Sequence, residues 1–287
     1  MGRMICGDCL EEMQRMPEHS VDLVFGSPPY EDARTYGIDF NLKGQDWVDW
    51  LVEVYRESLR VCKGLVAYVV EGRTRHFVWS GTPALLMADL IRAGVTLRKP
   101  PIYERDGIPG SGGPDWLKNR YEFVVCATNG GKLPWSDNTA CGHPPKYGKG
   151  GAATHRRRDG SRVGSVDTHR LGDVSCPRTP VLPDLANPGN IIDCGCGGGG
   201  HLGSRFAHEN EAPFPEKLAE FMIRSFCPPG GVVLDPFGGS GTTAAVAEEH
   251  GRDWITIDIR ASQIDLMRRR ITERCWGYLG MLGEDKR

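Results

Sequence analysis

Two short runs carry residue types and spacings that could do chemistry. Ser27-Pro28-Pro29-Tyr30 leaves an apolar stretch, 21–25 (VDLVF). Its two prolines fix the backbone and remove two N–H donors, so the carbonyls stay rigidly aimed. Ser27 adds a hydroxyl and Tyr30 a flat face. This set suits a planar amine, held by hydrogen bonds while its ring stacks on the tyrosine. The second run, Asp235-Pro236-Phe237-Gly238-Gly239-Ser240-Gly241-Thr242-Thr243, follows another apolar stretch and begins 208 positions after Ser27. Glycines at a strand-to-helix turn let backbone approach a ligand, and a helix start offers unpaired N–H groups. The run matches neither the G-x-G-x-x-G dinucleotide fingerprint nor the Gly-Lys-Ser/Thr phosphate loop. The next apolar stretch ends at Asp258, 23 residues after Asp235. A carboxylate there can accept from both hydroxyls of a ribose, so a nucleoside-type cofactor is expected.

The elements that must position these runs are legible as alternating patterns. Strands are expected at 3–6, 21–25, 65–70, 95–103, 120–127, 232–235 and 254–258. Helices are expected at 47–61, 83–93, 214–226 (with Pro215 in the first turn), 242–250 and 262–275. The run 65–70 (LVAYVV) is apolar throughout, as in a central strand covered on both faces. Strand–helix alternation predicts a parallel-rich, doubly wound α/β sheet. From 130 to about 208 the periodic apolar runs fade and Gly, Pro, Asn, Asp, Arg and His accumulate. That is too long for a structureless loop in a compact domain and predicts an inserted subdomain. The Gly/Pro-rich stretch 106–114 predicts a second loop.

On these residues the chain resembles the DNA amino-methyltransferases, in the permuted order called the β class. There the amine motif comes first, the target-recognition region follows, and the cofactor loop comes last. The resemblance covers 1–129 and 208–287. It includes Gly7-Asp8-Cys9-Leu10, similar to the family's motif beside the cofactor adenine, and the segment 210–218, similar to the lead into the helix at the methionine end. It implies an S-adenosylmethionine-dependent, Rossmann-like fold with a circularly permuted seven-stranded sheet, in which 3–6 lies beside 254–257. The implied catalytic residues are Ser27, Pro28, Pro29 and Tyr30. The implied cofactor set is Asp8, Cys9, Phe214, Asp235, Pro236, Phe237, Gly238, Gly239, Ser240, Gly241, Thr242, Thr243 and Asp258.

The implied reaction is methyl transfer from S-adenosylmethionine to the exocyclic amine of a base flipped out of duplex DNA. Ser at the first motif position points to cytosine N4, with adenine N6 as the alternative. Two other readings compete: an amino-methyltransferase of RNA or protein, and a non-catalytic DNA-binding module that kept the fold. The insert, 130–207, occupies the place of the recognition region. It holds ten Lys/Arg against six Asp/Glu, although the whole chain has a net charge of −2. Lys146, Lys149, His155, Arg156, Arg157, Arg158 and Arg162 are its candidate DNA contacts. Cys141, His143, Cys176, Cys194 and Cys196 lack the paired C-x2-C spacing of zinc sites, so no metal is expected. His208 and Asn210 are candidate site-lining residues.

The remaining features bound the setting. The chain has 287 residues, with 39% hydrophobic and 25% charged content, as in ordinary globular proteins. It has no apolar run near the roughly 20 residues of a membrane span and no signal-type apolar core at its start. Ten cysteines in this length suit reduced, cytosolic thiols, and the resemblance implies the cytoplasm of a prokaryotic or phage-infected cell. Duplex DNA is the expected partner. A homodimer and a cognate restriction enzyme are both compatible with the family.

Overall fold

The computed structural model describes residues 2–32, 40–105, 113–145, 154–156, 159–164, 184–194, 206, 209 and 213–283. They fall into two compact units, 1–137 with 189–287, and 138–188.

The larger unit is built on one sheet. Its strands are β1 (Arg3–Cys6), β2 (Val21–Gly26), β3 (Cys62–Val70), β7 (Ile102–Glu104), β8 (Tyr121–Thr128), β11 (Ile191–Asp193), β12 (Val232–Asp235) and β13 (Asp253–Asp258). Their order in space is β1-β13-β12-β2-β3-β8-β7-β11. A ninth strand, β6 (Thr96–Arg98), shares with β7 the outer edge of β8. The first seven strands of the order form the permuted sheet implied by the resemblance; β11 and β6 are additions to it. The C-terminal pair β12–β13 is enclosed by the two N-terminal strands. Cys6 lies opposite Asp258 on parallel β1 and β13, and Leu23 opposite Val233 on parallel β2 and β12. β8 is antiparallel to β3.

Helices cover both faces. α1 (Cys9–Gln14), α2 (Gly44–Val61) and α3 (Thr82–Arg92) bury Met13, Trp47, Leu51, Tyr55, Leu86 and Leu90 in one apolar cluster. α4 (Glu216–Phe226) and α5 (Thr242–Glu249) bury Leu218, Met222, Ala244 and Ala247 against Phe25, Val233 and Trp254 in a second. β3 runs between the two clusters and is buried at every position except Lys63, as its unbroken apolar run requires. α6 (Ala261–Gly283) follows β13.

Several local expectations are corrected. The strand expected at 95–103 is two short strands, because Pro100 and Pro101 lack the N–H needed to donate to the ladder. Pro215 is the cap of α4 rather than a residue of its first turn, which releases Phe214 from the helix. The expectations missed α1, whose start is capped by Asp8, and the hairpin β4 (Thr74–Arg75)/β5 (Val78–Trp79).

The insertion boundary also differs from 130–207. Residues 130–137 and 189–194 belong to the sheet unit: Asp137 N–H donates to the Ser225 carbonyl, and β11 pairs with β7. Within 138–188, β9 (Thr154–Arg156) and β10 (Arg162–Gly164) form an antiparallel pair, with Arg156 opposite Arg162 and His155 opposite Val163. The loop expectation at 106–112, together with Lys146, Lys149, Arg157, Arg158, Cys176, Cys196, His208 and Asn210, lies outside the described residues. Among the described residues, no helix is long and apolar enough to cross a membrane.

Candidate active site

Parallel strands deliver their C-terminal ends to one edge of a sheet, where open α/β folds place ligand crevices. Here β1, β2, β12 and β13 end together. The residues just beyond them border one open cleft containing about 1030 Å³ of empty space, part of it continuous with solvent. Ser27, Pro28, Pro29 and Tyr30 line it, together with Asp8, Cys9, Phe214, Pro236, Phe237, Gly238, Gly239, Ser240, Thr242 and Asp258. The two runs read from the sequence therefore face one space, because β2 and β12 are neighbours in the sheet.

The first run is fastened at three points. The Ser27 hydroxyl donates to the Val69 carbonyl at 3.3 Å. The Trp47 indole donates to the Pro29 carbonyl at 2.9 Å. The Tyr30 hydroxyl donates to Glu122 Oε2 at 2.6 Å, and Arg105 binds the other oxygen of that buried carboxylate. With its proton directed at Val69, Ser27 Oγ presents lone pairs as an acceptor.

The glycine loop turns sharply after β12. Gly239 and Gly241 have φ of +49° and +75°, a region disfavoured by side chains, and Gly241 caps α5. Asp258 braces this loop. Its Oδ2 accepts from Gly239 N–H at 2.9 Å and its Oδ1 from Arg260 N–H at 2.9 Å. A carboxylate has about four acceptor positions, so capacity remains on both oxygens. Burial raises the Asp258 pKa, opposed by those two amides and by the Arg260 charge. Phe237 packs on Tyr68 and Trp50 with ring centroids at 5.6 and 5.9 Å, and Phe40 packs on Trp50 at 4.9 Å, making an aromatic wall.

Three expected cofactor residues do not border the cleft. Asp235, Gly241 and Thr243 are buried behind the loop. Asp235 Oδ1 accepts from Phe237 N–H at 3.0 Å, and a Cβ on Gly26 would lie 2.3 Å from the same oxygen. Burial pushes Asp235 up to about 7, and the Asp258 charge acts in the same direction. Asp8 has a second duty, since its Oδ1 accepts from the N–H groups of Leu10 and Glu11 and caps α1. Burial pushes the Cys9 thiol up to about 12, so it lines the cleft as a neutral group.

Gly7 and Pro213, from the two family-like segments at 7–10 and 210–218, also border the cleft, as do Phe40, Trp50, Ile259 and Arg260, which were not anticipated. Trp50 had a signal, the apolar stripe of α2, but that stripe reads as core. Arg270 had none. It is fully buried, pairs with Glu216 at 2.7 Å, and donates to Ser240 O, Ser240 Oγ and Thr242 Oγ1 at 3.1, 3.1 and 3.0 Å. It locks the loop to α4 and α6 from behind.

Among the described residues, no three His, Cys, Asp or Glu side chains converge as metal ligands. His143 is exposed, Cys141 half-buried and Cys194 buried, with its thiol pushed up to about 12 by burial.

The chain is similar to known proteins. The family model N6_N4_Mtase, described as DNA methylase, matches residues 21–269. The orphan methyltransferase M.BamHII of Bacillus amyloliquefaciens is 31% identical over 262 residues, covering 88% of this chain and 89% of that protein. The PvuII cytosine-N4-specific DNA methyltransferase has a similar fold, with a TM-score of 0.67 at 21% identity, covering 93% of this chain and 85% of that one. TTHA0409 of Thermus thermophilus, a DNA modification methylase solved with S-adenosyl-L-methionine, gives a TM-score of 0.59 at 26% identity and covers 95% and 94% of the two chains. With the family model spanning both runs and the sheet that joins them, this chain belongs to the N6/N4 DNA methylase family.

Proposed function

We propose that the protein moves a methyl group from S-adenosylmethionine to the exocyclic N4 of a cytosine flipped out of duplex DNA. The observation that carries this reading is the Ser27 hydroxyl. It donates to Val69 and so offers its oxygen as an acceptor to an amine N–H.

The cleft fits the cofactor on the chemistry of its donor set. Asp258 keeps acceptor capacity for ribose hydroxyls, the Gly238–Gly239 backbone permits close approach, and Phe237 supplies an apolar wall. Asp8, Cys9 and Phe214 complete the binding set, while Asp235, Gly241, Thr242 and Thr243 hold the loop in shape. When bound, S-adenosylmethionine supplies an electrophilic methyl group on a sulfonium.

Ser27 and the Pro28 carbonyl accept hydrogen bonds from the target amine. This favours a more tetrahedral nitrogen and withdraws its lone pair from the ring. A hydroxyl is a weak base at neutral pH, so Ser27 orients the amine rather than deprotonating it, and the proton shed by the methylated nitrogen would pass to solvent in the open cleft. Tyr30 stacks on the base. Catalysis on this account is largely positioning.

Adenine N6 is the second reading, because the matched family model covers both nitrogens. The pair β9–β10 in 138–188, with His155, Arg156 and Arg162, is the proposed DNA reader, extended by Lys146, Lys149, Arg157 and Arg158. The setting is the cytoplasm of a prokaryotic or phage-infected cell. Duplex DNA is the partner, and a second copy or a cognate restriction enzyme would join it in assemblies that native mass spectrometry can detect. The deciding experiment is nucleoside mass spectrometry of DNA from cells expressing the protein. N4-methylcytosine is expected; N6-methyladenine alone would replace the cytosine assignment.

A further inference from the structure

The hairpin β4–β5 leaves the catalytic edge of the sheet directly after β3. Its turn is His76-Phe77, with φ of +49° and +65°. Two-residue hairpin turns with both residues at positive φ are normally built from Asn-Gly or similar pairs, because side chains there crowd the backbone. Here one position carries an aromatic ring. Moreover, Phe77 is 83% exposed and Val78 67%. A strained turn displaying an apolar ring to solvent points to function rather than to folding.

The root of the hairpin is held as firmly as its tip is displayed. Arg73 N–H lies within bonding distance of both Glu31 Oε1 (3.1 Å) and Ser80 Oγ (3.0 Å), and Ser80 N–H donates to the Arg73 carbonyl at 2.9 Å. The guanidinium groups of Arg73 and Arg75 pair with Asp32 at 2.7 and 2.6 Å. Glu31 also accepts from Thr82 and from Gly44 N–H. Burial would raise Glu31, but the bonds from Ser80, Gly44, Arg73 and Thr82 outweigh it and hold the carboxyl below its ordinary range. Glu31 and Asp32 are the residues immediately after Tyr30, so the hairpin is registered directly to the amine-binding run. At this root Lys43, Arg73 and Arg75 stand against Glu31, Asp32 and Glu71, and burial pushes the Glu71 carboxyl up to about 7, so it carries only part of its charge near neutral pH.

We infer that this hairpin is a DNA-distorting wedge: Phe77 inserts into the base stack beside the extruded target, and the Arg73–Arg75 root faces the phosphates. The inference rests on the flipped-base reading above. Apolar side chains inserted between base steps are an established way to unstack a duplex, and a vacated position offers a ring two π-faces. An aromatic group is suited to that role, and its rigid attachment next to Tyr30 couples the wedge to the pocket that receives the base.

The test uses the full chain, tritiated S-adenosylmethionine and unmodified duplex genomic DNA. Three variants are compared with wild type: Phe77→Ala, the double variant His76→Asn with Phe77→Gly, and Phe77→Trp. The double variant places preferred residues in the turn, so its melting temperature should match or exceed wild type. Both wedge-less variants should lose about tenfold in kcat/KM for duplex DNA, the size of one lost base–aromatic stack. Cofactor affinity by calorimetry should remain within about twofold of wild type, and Phe77→Trp should restore most of the loss. Phe77→Ala within about twofold of wild type on duplex DNA, or an equal loss of cofactor affinity, overturns the wedge. A wild-type protein that methylates no DNA would instead overturn the parent reading.

Discussion

The Tyr30 hydroxyl donates a 2.6 Å hydrogen bond to Glu122, a buried carboxylate 92 residues away on β8 that is also bound by Arg105. The ring proposed to stack on the base is thus aimed by an antiparallel strand two places from β2, which leads into it. If this bond orients the ring, Tyr30→Phe should lower kcat by about 10- to 100-fold, in line with the loss of one hydrogen bond to a charged acceptor. Cofactor affinity should not change. Glu122→Gln, which keeps an acceptor, should lie between wild type and Tyr30→Phe. Steady-state kinetics on DNA check this, and a rise in KM for cofactor in Tyr30→Phe would count against it.

Ser27→Ala removes the acceptor offered to the amine and leaves the glycine loop intact. Turnover should fall by about 10²-fold, as when one polarising group is taken from a preorganised site. The dissociation constant for S-adenosylmethionine should stay within about twofold. Single-turnover methylation and calorimetry separate the two quantities, and unchanged turnover would remove Ser27 from the mechanism.

Asp258 both braces Gly239 and faces the proposed ribose site. Asp258→Ala should weaken cofactor binding by about 10- to 100-fold, the range expected for charge-assisted hydrogen bonds. Raising cofactor concentration should recover much of the DNA methylation rate. Calorimetry with S-adenosylmethionine is the direct measurement.

Asp235 gives a pH prediction. Its carboxyl rises from 3.8 to about 7 on folding, chiefly through burial. A raised acid binds a proton in the folded state that it has lost in the unfolded state. Its stabilising contribution is complete below the unfolded value and is lost progressively as pH rises through about 7. The full move corresponds to on the order of 4 kcal/mol. Asp235→Asn cannot ionise and keeps an acceptor for Phe237 N–H. Its melting temperature relative to wild type should therefore increase from pH 5 to pH 8. A difference that is flat with pH would show that Asp235 ionises freely in the folded protein.

What the sequence determined was local. The Ser27–Tyr30 run, the Gly238–Gly241 turn, Asp258 at a strand end, and the alternation of helix and strand each carry their signal within a dozen residues. Proline geometry, glycine freedom and hydrophobic period act at that range. The capping role of Asp8 was equally local and was passed over, as were the prolines that divide 95–103.

The tertiary structure decided what meets what. The placement of Cys6 opposite Asp258, of Gly26 against Asp235, of Tyr30 on Glu122, and of Arg270 beneath Ser240 joins positions 30 to more than 250 residues apart. Such pairings depend on strand order and on which side chains fill a shared interior. No single stretch of chain encodes them. The His76-Phe77 turn escaped notice for a related reason: its two-residue strands leave no period, and its strain exists only once Glu31 and Asp32 have fixed the hairpin's root beside the cleft.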